Sequence, residues 1–359
     1  MEVNPILKHV GMSCNLRCSY CYYNKQDRSK KAMNLEILEE TIREVCKYNT
    51  GDVRFFWHGG EPMLIGISFY EKAIELQEKF KKSAQKIINC IQTNGTLIDD
   101  KWSKFFKEKA IKVGISLDGP QKYHDYYRQY PDGKGSFGKI MEGIKILKKQ
   151  KIEFGVVSVV TNQIVKTPEE IFKFFISHQI TNTINFNPLL GTNVGNGISF
   201  EKKGVQPSLY IDFLIKIFDL WLKNENNPHL KIYPLESIVR AFLGFPQEDC
   251  RFAGECEKSL VIDYKGDIFA CCTYGYGDFF KFGNIKDGLN SVLHSESFLK
   301  YKKYLKEIRN ACSKCQWYDI CKGGCPFHHY IGNGKNLFCP DLQRLFKHIQ
   351  VSLKKYQLL

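Results

Sequence analysis

Short apolar runs alternate with amphipathic helical stretches through the first two-thirds of the chain. Such alternation is typical of repeated β-α units, in which helices connect successive parallel strands. In barrels of this kind the active site lies at the carboxyl ends of the strands. We therefore predict an α/β fold whose first part is a partial (β/α)6 TIM-like barrel. The six predicted strands are residues 6–12, 52–57, 86–93, 113–117, 154–161 and 183–189.

Sequence patterns typical of α-helices lie between these predicted strands. Asn34 is a good helix-capping residue, and apolar residues follow it at helical spacing as far as Val45. A long loop is predicted at residues 118–136, and an irregular connection at residues 191–208. Further helices are predicted at residues 69–80, 99–109, 137–149, 168–178, 209–223 and 235–243.

The size and composition indicate a globular protein without a membrane segment. The chain has 359 residues, 43% of them hydrophobic, so it can bury a large core and hold a barrel plus a smaller module. No apolar run approaches the roughly 20 residues needed to span a bilayer. The first residues lack the charged and apolar regions of a signal peptide. We therefore expect a cytoplasmic protein with no membrane partner.

Cys14, Cys18 and Cys21 stand directly after the first predicted strand. A complete [4Fe–4S] site takes four cysteines, so three thiolates would leave one iron without a protein ligand. An open coordination position lets a metal site accept a small molecule. The alternatives are a structural zinc site or free core cysteines, although zinc sites usually show paired C-x2-C units.

The cysteines are concentrated near the carboxyl end. Nine of the fourteen lie at residues 250–339, and metal ligation explains them better than disulfides in a reducing compartment. This change of composition places a domain boundary near residue 245, which gives predicted domains at residues 1–245 and 246–359. A hairpin is predicted to turn at Lys265–Gly266. Two iron–sulfur clusters or two zinc sites would fit eight of these thiols: Cys250, Cys256, Cys271, Cys312, Cys315, Cys321, Cys325 and Cys339.

The formal net charge of +14 raises the question of nucleic-acid binding. The lysines are spread along predicted helices, however, and are not gathered with aromatic residues into one recognition motif. Such runs are usually solvated helix faces, and thiolate clusters would cancel part of the charge. We therefore expect no nucleic-acid partner.

Two motifs follow the second and fourth predicted strands. In HGGEP, Gly59 and Gly60 allow close approach of the backbone to a ligand, and Glu61 can face an ammonium group; a tight turn is the alternative. Ser116 begins SLDGP, and Arg128 follows in the next loop. A guanidinium group matches the geometry of a carboxylate, although Arg128 could also be a surface residue.

These motifs together resemble the radical S-adenosylmethionine (SAM) superfamily. WHGGEP, TNGT, SLDGP, HDYYR and GKGSF are similar to the anaerobic sulfatase-maturating enzymes and their peptide-modifying relatives. The resemblance implies that the open iron binds SAM and that the Glu61 motif holds its amino group. It further implies that Ser116 and Arg128 hold the SAM carboxylate and ribose region, and that the pocket is lined by Tyr20, Gly60 and Leu189.

The carboxyl-terminal cysteines resemble the SPASM extension of these enzymes, an α+β module with two auxiliary clusters. The resemblance implies three [4Fe–4S] clusters in all, one that binds SAM and two that are fully ligated by the protein. The first auxiliary cluster would be held by Cys250, Cys256, Cys271 and Cys325. The second would be held by Cys312, Cys315, Cys321 and Cys339.

The resemblance implies a radical SAM oxidoreductase. Reductive cleavage of SAM would give a 5′-deoxyadenosyl radical that abstracts hydrogen from a peptide or protein side chain. The auxiliary clusters could then accept an electron, so the modification would be an oxidation. An electron donor such as a flavodoxin or ferredoxin is expected. The alternatives are a sulfatase maturase that forms formylglycine, a small-molecule dehydrogenase, and a non-catalytic iron–sulfur protein.

Cys272 departs from the family pattern, in which an Asp taken as the catalytic base holds this position. An Asp of pKa about 3.9 removes a proton from a thiol of pKa about 8.5 at a cost of roughly 6 kcal/mol, whereas a second thiol is nearly matched. Cys272 is therefore a candidate base, a redox residue or a structural replacement. Cys46 and Cys90 are expected to be buried apolar residues.

Overall fold

The structure is a computed structural model that describes residues 2–21, 31–194, 197–199, 204–225, 227–271 and 280–357. The strands are β1 (Asn4–Lys8), β2 (Val53–Trp57), β3 (Ile87–Thr93), β4 (Lys112–Ser116), β5 (Phe154–Val160), β6 (Thr183–Pro188), β7 (Thr192–Val194), β8 (Gly197–Ser199), β9 (Lys231–Tyr233), β10 (Ser259–Asp263), β11 (Asp267–Phe269) and β12 (Lys281–Asn284). The α-helices are α1 (Leu35–Tyr48), α2 (Ile67–Phe80), α3 (Asp100–Glu108), α4 (Gln121–Tyr127), α5 (Phe137–Lys149), α6 (Pro168–Ser177), α7 (Pro207–Leu222), α8 (Leu235–Phe242), α9 (Cys250–Ala253), α10 (Leu289–Val292), α11 (Glu296–Cys312), α12 (Tyr318–Cys321), α13 (Pro326–Ile331) and α14 (Cys339–Lys355).

A first compact unit is assembled from three stretches of chain, Met1–Ser116, Asp125–Phe154 and Cys256–Tyr304. Its strands lie in the order β12-β11-β10-β1-β2-β3-β4. The neighbours from β10 to β4 are parallel, and β11 and β12 continue the sheet as antiparallel strands. The carboxyl ends of β1 to β4 therefore meet at one edge of this sheet, as the β-α pattern predicts.

The predicted first helix is confirmed as α1. The Asn34 side chain accepts a hydrogen bond from the Ile37 N–H group at 2.8 Å, so it caps the helix. Leu38, Ile42 and Val45 are fully buried at helical spacing, whereas Leu35 is half exposed. The apolar face of α1 thus contributes to the core of the first unit.

The strand β1 ends at Lys8, four residues before the predicted end. Gly11 has φ +54°, and its N–H group bonds to the Lys8 carbonyl oxygen at 2.9 Å. The Ser13 N–H group closes a second turn on the Val10 carbonyl oxygen at 3.1 Å. The chain therefore leaves the sheet in two turns before it reaches the first cysteine.

The predicted hairpin at Lys265–Gly266 is confirmed. It joins the antiparallel strands β10 and β11, and Gly266 has φ +85°, which an L side chain rarely adopts. Every residue of β10 pairs in parallel with a residue of β1, from Asn4 with Ser259 to Lys8 with Asp263. Strand β10 thus extends the sheet formed by the amino-terminal strands. The predicted domain division at residue 245 stays a prediction.

A second compact unit contains Leu117–His124, Gly155–Glu255 and Leu305–Leu359. Strands β5, β6 and β9 are parallel neighbours within it, and α7 contacts α6 and α14. Its core is aromatic and aliphatic. Fully buried members include Phe175, Phe186, Phe213, Phe218 and Phe346.

Several elements were not predicted from the sequence, among them α4, β7, β8 and β9. Helix α4 lies in the stretch predicted as a long loop, where the Pro120 carbonyl oxygen accepts the N–H groups of Tyr123 and His124. The connection predicted as irregular contains the antiparallel pair β7 and β8. Strand β9 has three residues, too few to give a period-two pattern.

Candidate active site

The loop with Cys14, Cys18 and Cys21 follows β1 in the first unit. Cys18 is buried, and the other two thiols are half-buried. The loop backbone is held at two points, since Arg17 N–H bonds to the Gln129 carbonyl oxygen at 2.6 Å and Ser19 N–H bonds to that of Tyr127 at 2.8 Å. The three predicted thiol ligands are thus presented by a loop with a fixed path.

The three thiols interact electrostatically. Burial, followed by the charges of Glu61, Cys18 and Cys21, raises the pKa of Cys14 to about 12. A thiol binds iron as a thiolate, so metal binding at this loop must release protons. No three His, Cys, Asp or Glu side chains in the described ranges converge on one point as single-ion ligands would. A [4Fe–4S] cube does not require such convergence, because each thiolate binds a different iron.

The Gly59–Gly60–Glu61 motif lies directly against the cysteine loop. The Gly60 N–H group bonds to the Gly11 carbonyl oxygen at 3.0 Å, and the Glu61 N–H group bonds to the Ser13 carbonyl oxygen at 2.7 Å. A Cβ atom on Gly60 would lie 1.9 Å from that Ser13 oxygen, and Gly59 has φ +99°. Both glycines are therefore required by the backbone path, as close approach predicts.

Glu61 is fully buried beside this loop. Its Oε1 atom accepts hydrogen bonds from the Thr93 hydroxyl at 2.7 Å and the Met63 N–H group at 3.0 Å, and its Oε2 atom accepts one from the Asn94 N–H group at 2.7 Å. Burial raises the pKa of Glu61 to about 7 despite these bonds. A ligand with an ammonium group would restore the carboxylate charge, so the residues present fit the amino end of SAM.

A ring of polar side chains connects the cysteine loop to the end of β3. The Asn94 amide donates to Asn15 Oδ1 at 2.8 Å, the Asn15 amide donates to the Thr96 hydroxyl at 2.8 Å, and that hydroxyl donates to Asn94 Oδ1 at 2.7 Å. No role was predicted for Asn94 or Thr96, because the Gln92–Thr96 stretch by itself is typical of an ordinary turn. Its position after the third strand of a β-α series was the available signal.

His58 is the first residue of the HGGEP motif, and no role was predicted for it from the sequence. Its Nδ1 atom accepts a hydrogen bond from the Gly59 N–H group at 2.6 Å. Burial, and then the charges of Lys8 and His9, lowers the pKa of His58 to about 4. The ring is therefore neutral near pH 7, with its proton on Nε2.

The predicted SAM-pocket residues fall in both units. In the first unit, the Arg128 guanidinium lies 5.4 Å from the centre of the Tyr20 ring, and Arg128 is buried. The Ser116 hydroxyl, also in the first unit, accepts a hydrogen bond from Gln92 Nε2 at 3.1 Å. Leu189 belongs to the second unit, where its N–H group bonds to the Val160 carbonyl oxygen at 2.9 Å.

The four thiols predicted for the second auxiliary cluster all lie in the second unit. Cys312 ends α11, Cys321 ends α12 and Cys339 begins α14, while Cys315 N–H bonds to the Cys312 carbonyl oxygen at 2.9 Å. Burial, followed by the charges of Cys339, Cys312 and Cys315, raises the pKa of Cys321 to about 12. The fold therefore brings these four thiols into one electrostatic group.

The thiols predicted for the first auxiliary cluster are divided between the units. Cys250 begins α9 and Cys325 precedes α13 in the second unit, whereas Cys256 and Cys271 flank the β10–β11 hairpin in the first. Burial raises the pKa of Cys325.

The three remaining thiols have different positions. Cys46 is fully buried in α1, as predicted, but Cys90 in β3 is half-buried rather than buried. The Cys90 prediction was wrong because the preceding part of β3 is half-exposed throughout. Cys272 lies outside the described residues.

Comparison with known proteins supports the two predicted parts of the chain, the radical SAM barrel and the SPASM module. The radical SAM superfamily model matches residues 10–175, and the SPASM iron–sulfur cluster-binding domain model matches residues 250–326. A serine-type anaerobic sulfatase-maturating enzyme of Bacteroides thetaiotaomicron is 33% identical over 96% of this chain and 88% of its own length. This chain belongs to the anaerobic sulfatase-maturating enzyme family. A cysteine-type enzyme of this family, from Clostridium novyi, is 32% identical over 96% of this chain and 95% of its own length.

A solved structure extends the similarity to the whole fold. The sulfatase-maturating enzyme anSMEcpe, with bound AdoMet and the Cp18Cys peptide, has a TM-score of 0.87 and 28% identity, covering 99% of both chains. The predicted α/β fold, a partial barrel with a SPASM module, is thereby confirmed. As a family member the chain is a radical SAM enzyme, and its cofactors are SAM and [4Fe–4S] clusters, with auxiliary clusters in the SPASM domain. Among the described helices, none is long and apolar enough to cross a bilayer.

Proposed function

We propose that this enzyme oxidises a serine or cysteine side chain in a peptide or protein substrate. The observation that carries the proposal is the match over nearly the whole chain to anSMEcpe, which was solved with AdoMet and a peptide bound. The named relatives include serine-type and cysteine-type enzymes of similar identity. These similarities favour a peptide side chain over a small molecule as the substrate. They are equally compatible with serine and with cysteine as the modified residue.

The residues proposed to hold the SAM-binding cluster are Cys14, Cys18 and Cys21. The buried Glu61 carboxylate would bind the SAM amino group, since its pKa of about 7 leaves it ready to ionise beside a cation. Ser116 and Arg128 would hold the carboxylate and ribose region, with Tyr20 stacked on the guanidinium. Gly59 and Gly60 would allow the ligand and the cysteine loop to approach closely.

The chemistry removes a hydrogen atom from the carbon that bears the oxygen or sulfur, then one proton and one electron. Bound SAM and the clusters would supply the radical that takes the hydrogen atom and an acceptor for the electron. A serine side chain thereby becomes an aldehyde. A cysteine side chain becomes a thioaldehyde, which water converts to the aldehyde with release of sulfide.

Proton removal is where this chain differs from the pattern of its relatives. By the resemblance to the family pattern, Cys272 stands at the position of an Asp taken as the catalytic base, and we propose Cys272 as the base or as a redox residue. Its thiol is closer in pKa to a cysteine substrate than a carboxylate is. We accordingly favour cysteine over serine as the better substrate residue.

The test uses anaerobically reconstituted enzyme, SAM, a chemical reductant and three peptides that differ only in having Cys, Ser or Ala at one position. We expect 5′-deoxyadenosine together with an aldehyde product, detected by mass spectrometry, from the Cys peptide and more slowly from the Ser peptide. The Cys14→Ala variant should form neither product. Cys90→Ala is the matched control, because Cys90 belongs to none of the proposed ligand sets.

If 5′-deoxyadenosine forms without any peptide product, the assignment as a radical SAM enzyme still stands. The proposal of a serine or cysteine side chain as substrate is then refuted. A faster reaction with the Ser peptide would refute the preference for cysteine. A cytoplasmic location and a flavodoxin or ferredoxin as electron donor remain parts of the proposal. Both are consistent with a chain that keeps many reduced thiols.

A further inference from the structure

Gln92 and Ser116 lie at the carboxyl ends of neighbouring parallel strands in the first unit. Gln92 in β3 is the register partner of Gly114 in β4. Residues 114 and 116 are two positions apart, so they face the same side of the sheet. The Gln92 side chain lies over Gly114 and reaches Ser116, where its Nε2 atom donates a hydrogen bond to Oγ at 3.1 Å.

Gly114 provides the space for this side chain. A Cβ atom built on Gly114 would lie 2.2 Å from Gln92 Oε1 and 3.1 Å from its Cδ atom. The backbone at Gly114 does not have the positive φ that otherwise favours glycine. Position 114 therefore requires glycine because of the Gln92 amide and not because of its backbone conformation.

The amide determines what the Ser116 hydroxyl can do. A hydroxyl group has one proton to donate, and it accepts through its oxygen lone pairs. The Gln92 amide occupies one lone pair of Ser116 Oγ, and the structure shows no acceptor for the hydroxyl proton among the described residues. That proton is available for an oxygen atom of a bound ligand.

We propose that Gln92 is a positioning residue that fixes the Ser116 hydroxyl as a hydrogen-bond donor to bound SAM, and that Gly114 is glycine to admit Gln92. The inference rests on the proposed function, in which Ser116 is one of the two residues that hold the carboxylate and ribose region of SAM. Gln92 itself does not touch the ligand in this arrangement. Its effect on SAM binding passes through Ser116.

The test measures the dissociation constant of SAM by equilibrium dialysis on the cluster-loaded full-length enzyme. Gln92→Ala removes the amide, and Gly114→Ala displaces it without deleting it, because the atom that a Cβ meets is the end of a flexible side chain. Both variants should bind SAM about 3- to 10-fold more weakly, the range expected for one hydrogen bond. Gln92→Glu should bind more weakly still, since a carboxylate accepts the Ser116 proton and repels the SAM carboxylate.

A double-mutant cycle separates this role from a structural one. In the Ser116→Ala background, Gln92→Ala should weaken binding by less than about twofold, because its partner is already absent. Gly155→Ala is the matched control for Gly114→Ala. It also lies in a parallel strand, but its Cβ would meet Thr183 at 3.6 Å, an ordinary contact. Iron content and thermal midpoint are measured for every variant, so that loss of cluster or fold is recognised.

Unchanged SAM binding in Gln92→Ala overturns the inference, and so does an equal loss with and without Ser116. In both cases the proposed function still stands. Unchanged binding in Ser116→Ala overturns the inference and also removes Ser116 from the proposed SAM site.

Discussion

Glu61 shows how burial sets the chemistry of a single residue in this site. The sequence predicts a carboxylate next to paired glycines, but its pKa of about 7 follows from complete burial, which its three hydrogen bonds offset only in part. The Glu61 carboxyl group is therefore partly protonated near pH 7 when no cation is bound. A ligand that binds the carboxylate through an amino group must therefore displace this proton at lower pH.

We expect SAM to bind about tenfold more weakly at pH 6 than at pH 8 because of Glu61, given its pKa of about 7. Binding weakens at lower pH because the Glu61 carboxylate, whose pKa is raised, becomes protonated as the pH falls through 7. The amino group of SAM titrates as well, so the informative quantity is the ratio of the dissociation constants of wild type and Glu61→Gln, measured on the cluster-loaded enzyme. A ratio that does not change between the two pH values would contradict this prediction.

At the scale of single elements, the short helix α9 depends on a buried ion pair. Asp249 caps the helix by accepting the Arg251 N–H group at 2.9 Å, and the two side chains pair at 2.6 Å with exposed fractions of 5% and 14%. Arg251 also donates to Asn185 Oδ1 at 3.3 Å. Burial raises the pKa of Asp249, but Arg251 more than compensates and leaves it lower than usual. This pair positions the helix that begins at Cys250.

The Asp249→Asn variant should lower the free energy of unfolding by about 3–5 kcal/mol, because it leaves a buried guanidinium without its counter-charge. Asparagine retains the side-chain oxygen that caps the helix, so the decrease in unfolding free energy reports the loss of the carboxylate charge. The measurement is chemical denaturation at constant iron content. Asp212→Asn is the matched control. Asp212 pairs with Arg344, each about half exposed, so we expect a loss of at most about 1 kcal/mol. Equal losses in the two variants would show that burial does not matter here.

Elements also show where sequence patterns were sufficient. Helix α1 was predicted with its cap because the signal consists of adjacent residues and a helical period, and these determine local structure directly. Helix α4 was missed because its seven residues, QKYHDYY, carry no apolar stripe and lie between turn signals. Strand β1 was drawn too long because an apolar run continues through residues that the structure places in turns.

At the scale of the whole molecule, the first unit combines strands that are far apart in the sequence. Strand β1 pairs on one side with β2 and on the other with β10, more than 240 residues later. Leu260, Val261 and Ile262 of β10 are fully buried. A division of the chain near residue 245 would therefore remove one neighbour of β1 and expose its edge.

We expect a fragment of residues 1–245 to aggregate or to lack cooperative unfolding, although it contains all six predicted barrel strands. The reason is the loss of β10, whose backbone groups and apolar side chains cover β1. Size-exclusion chromatography and thermal circular dichroism of the fragment, compared with the full-length chain prepared in parallel, provide the test. A monomeric fragment that unfolds cooperatively would show that β10 is dispensable for this unit.

The sequence by itself determined the chemistry available to this protein. The spacing of Cys14, Cys18 and Cys21, the Gly59–Gly60–Glu61 motif and the β-α pattern are each carried by short stretches of sequence. Their resemblance to a known family predicted a radical SAM enzyme. Only the tertiary structure decided the contacts between distant parts of the chain. It placed Gly60 against Ser13, buried Glu61 under the end of β3 and laid Gln92 over Gly114. These depend on the register of strands and on packing, which no local spacing specifies.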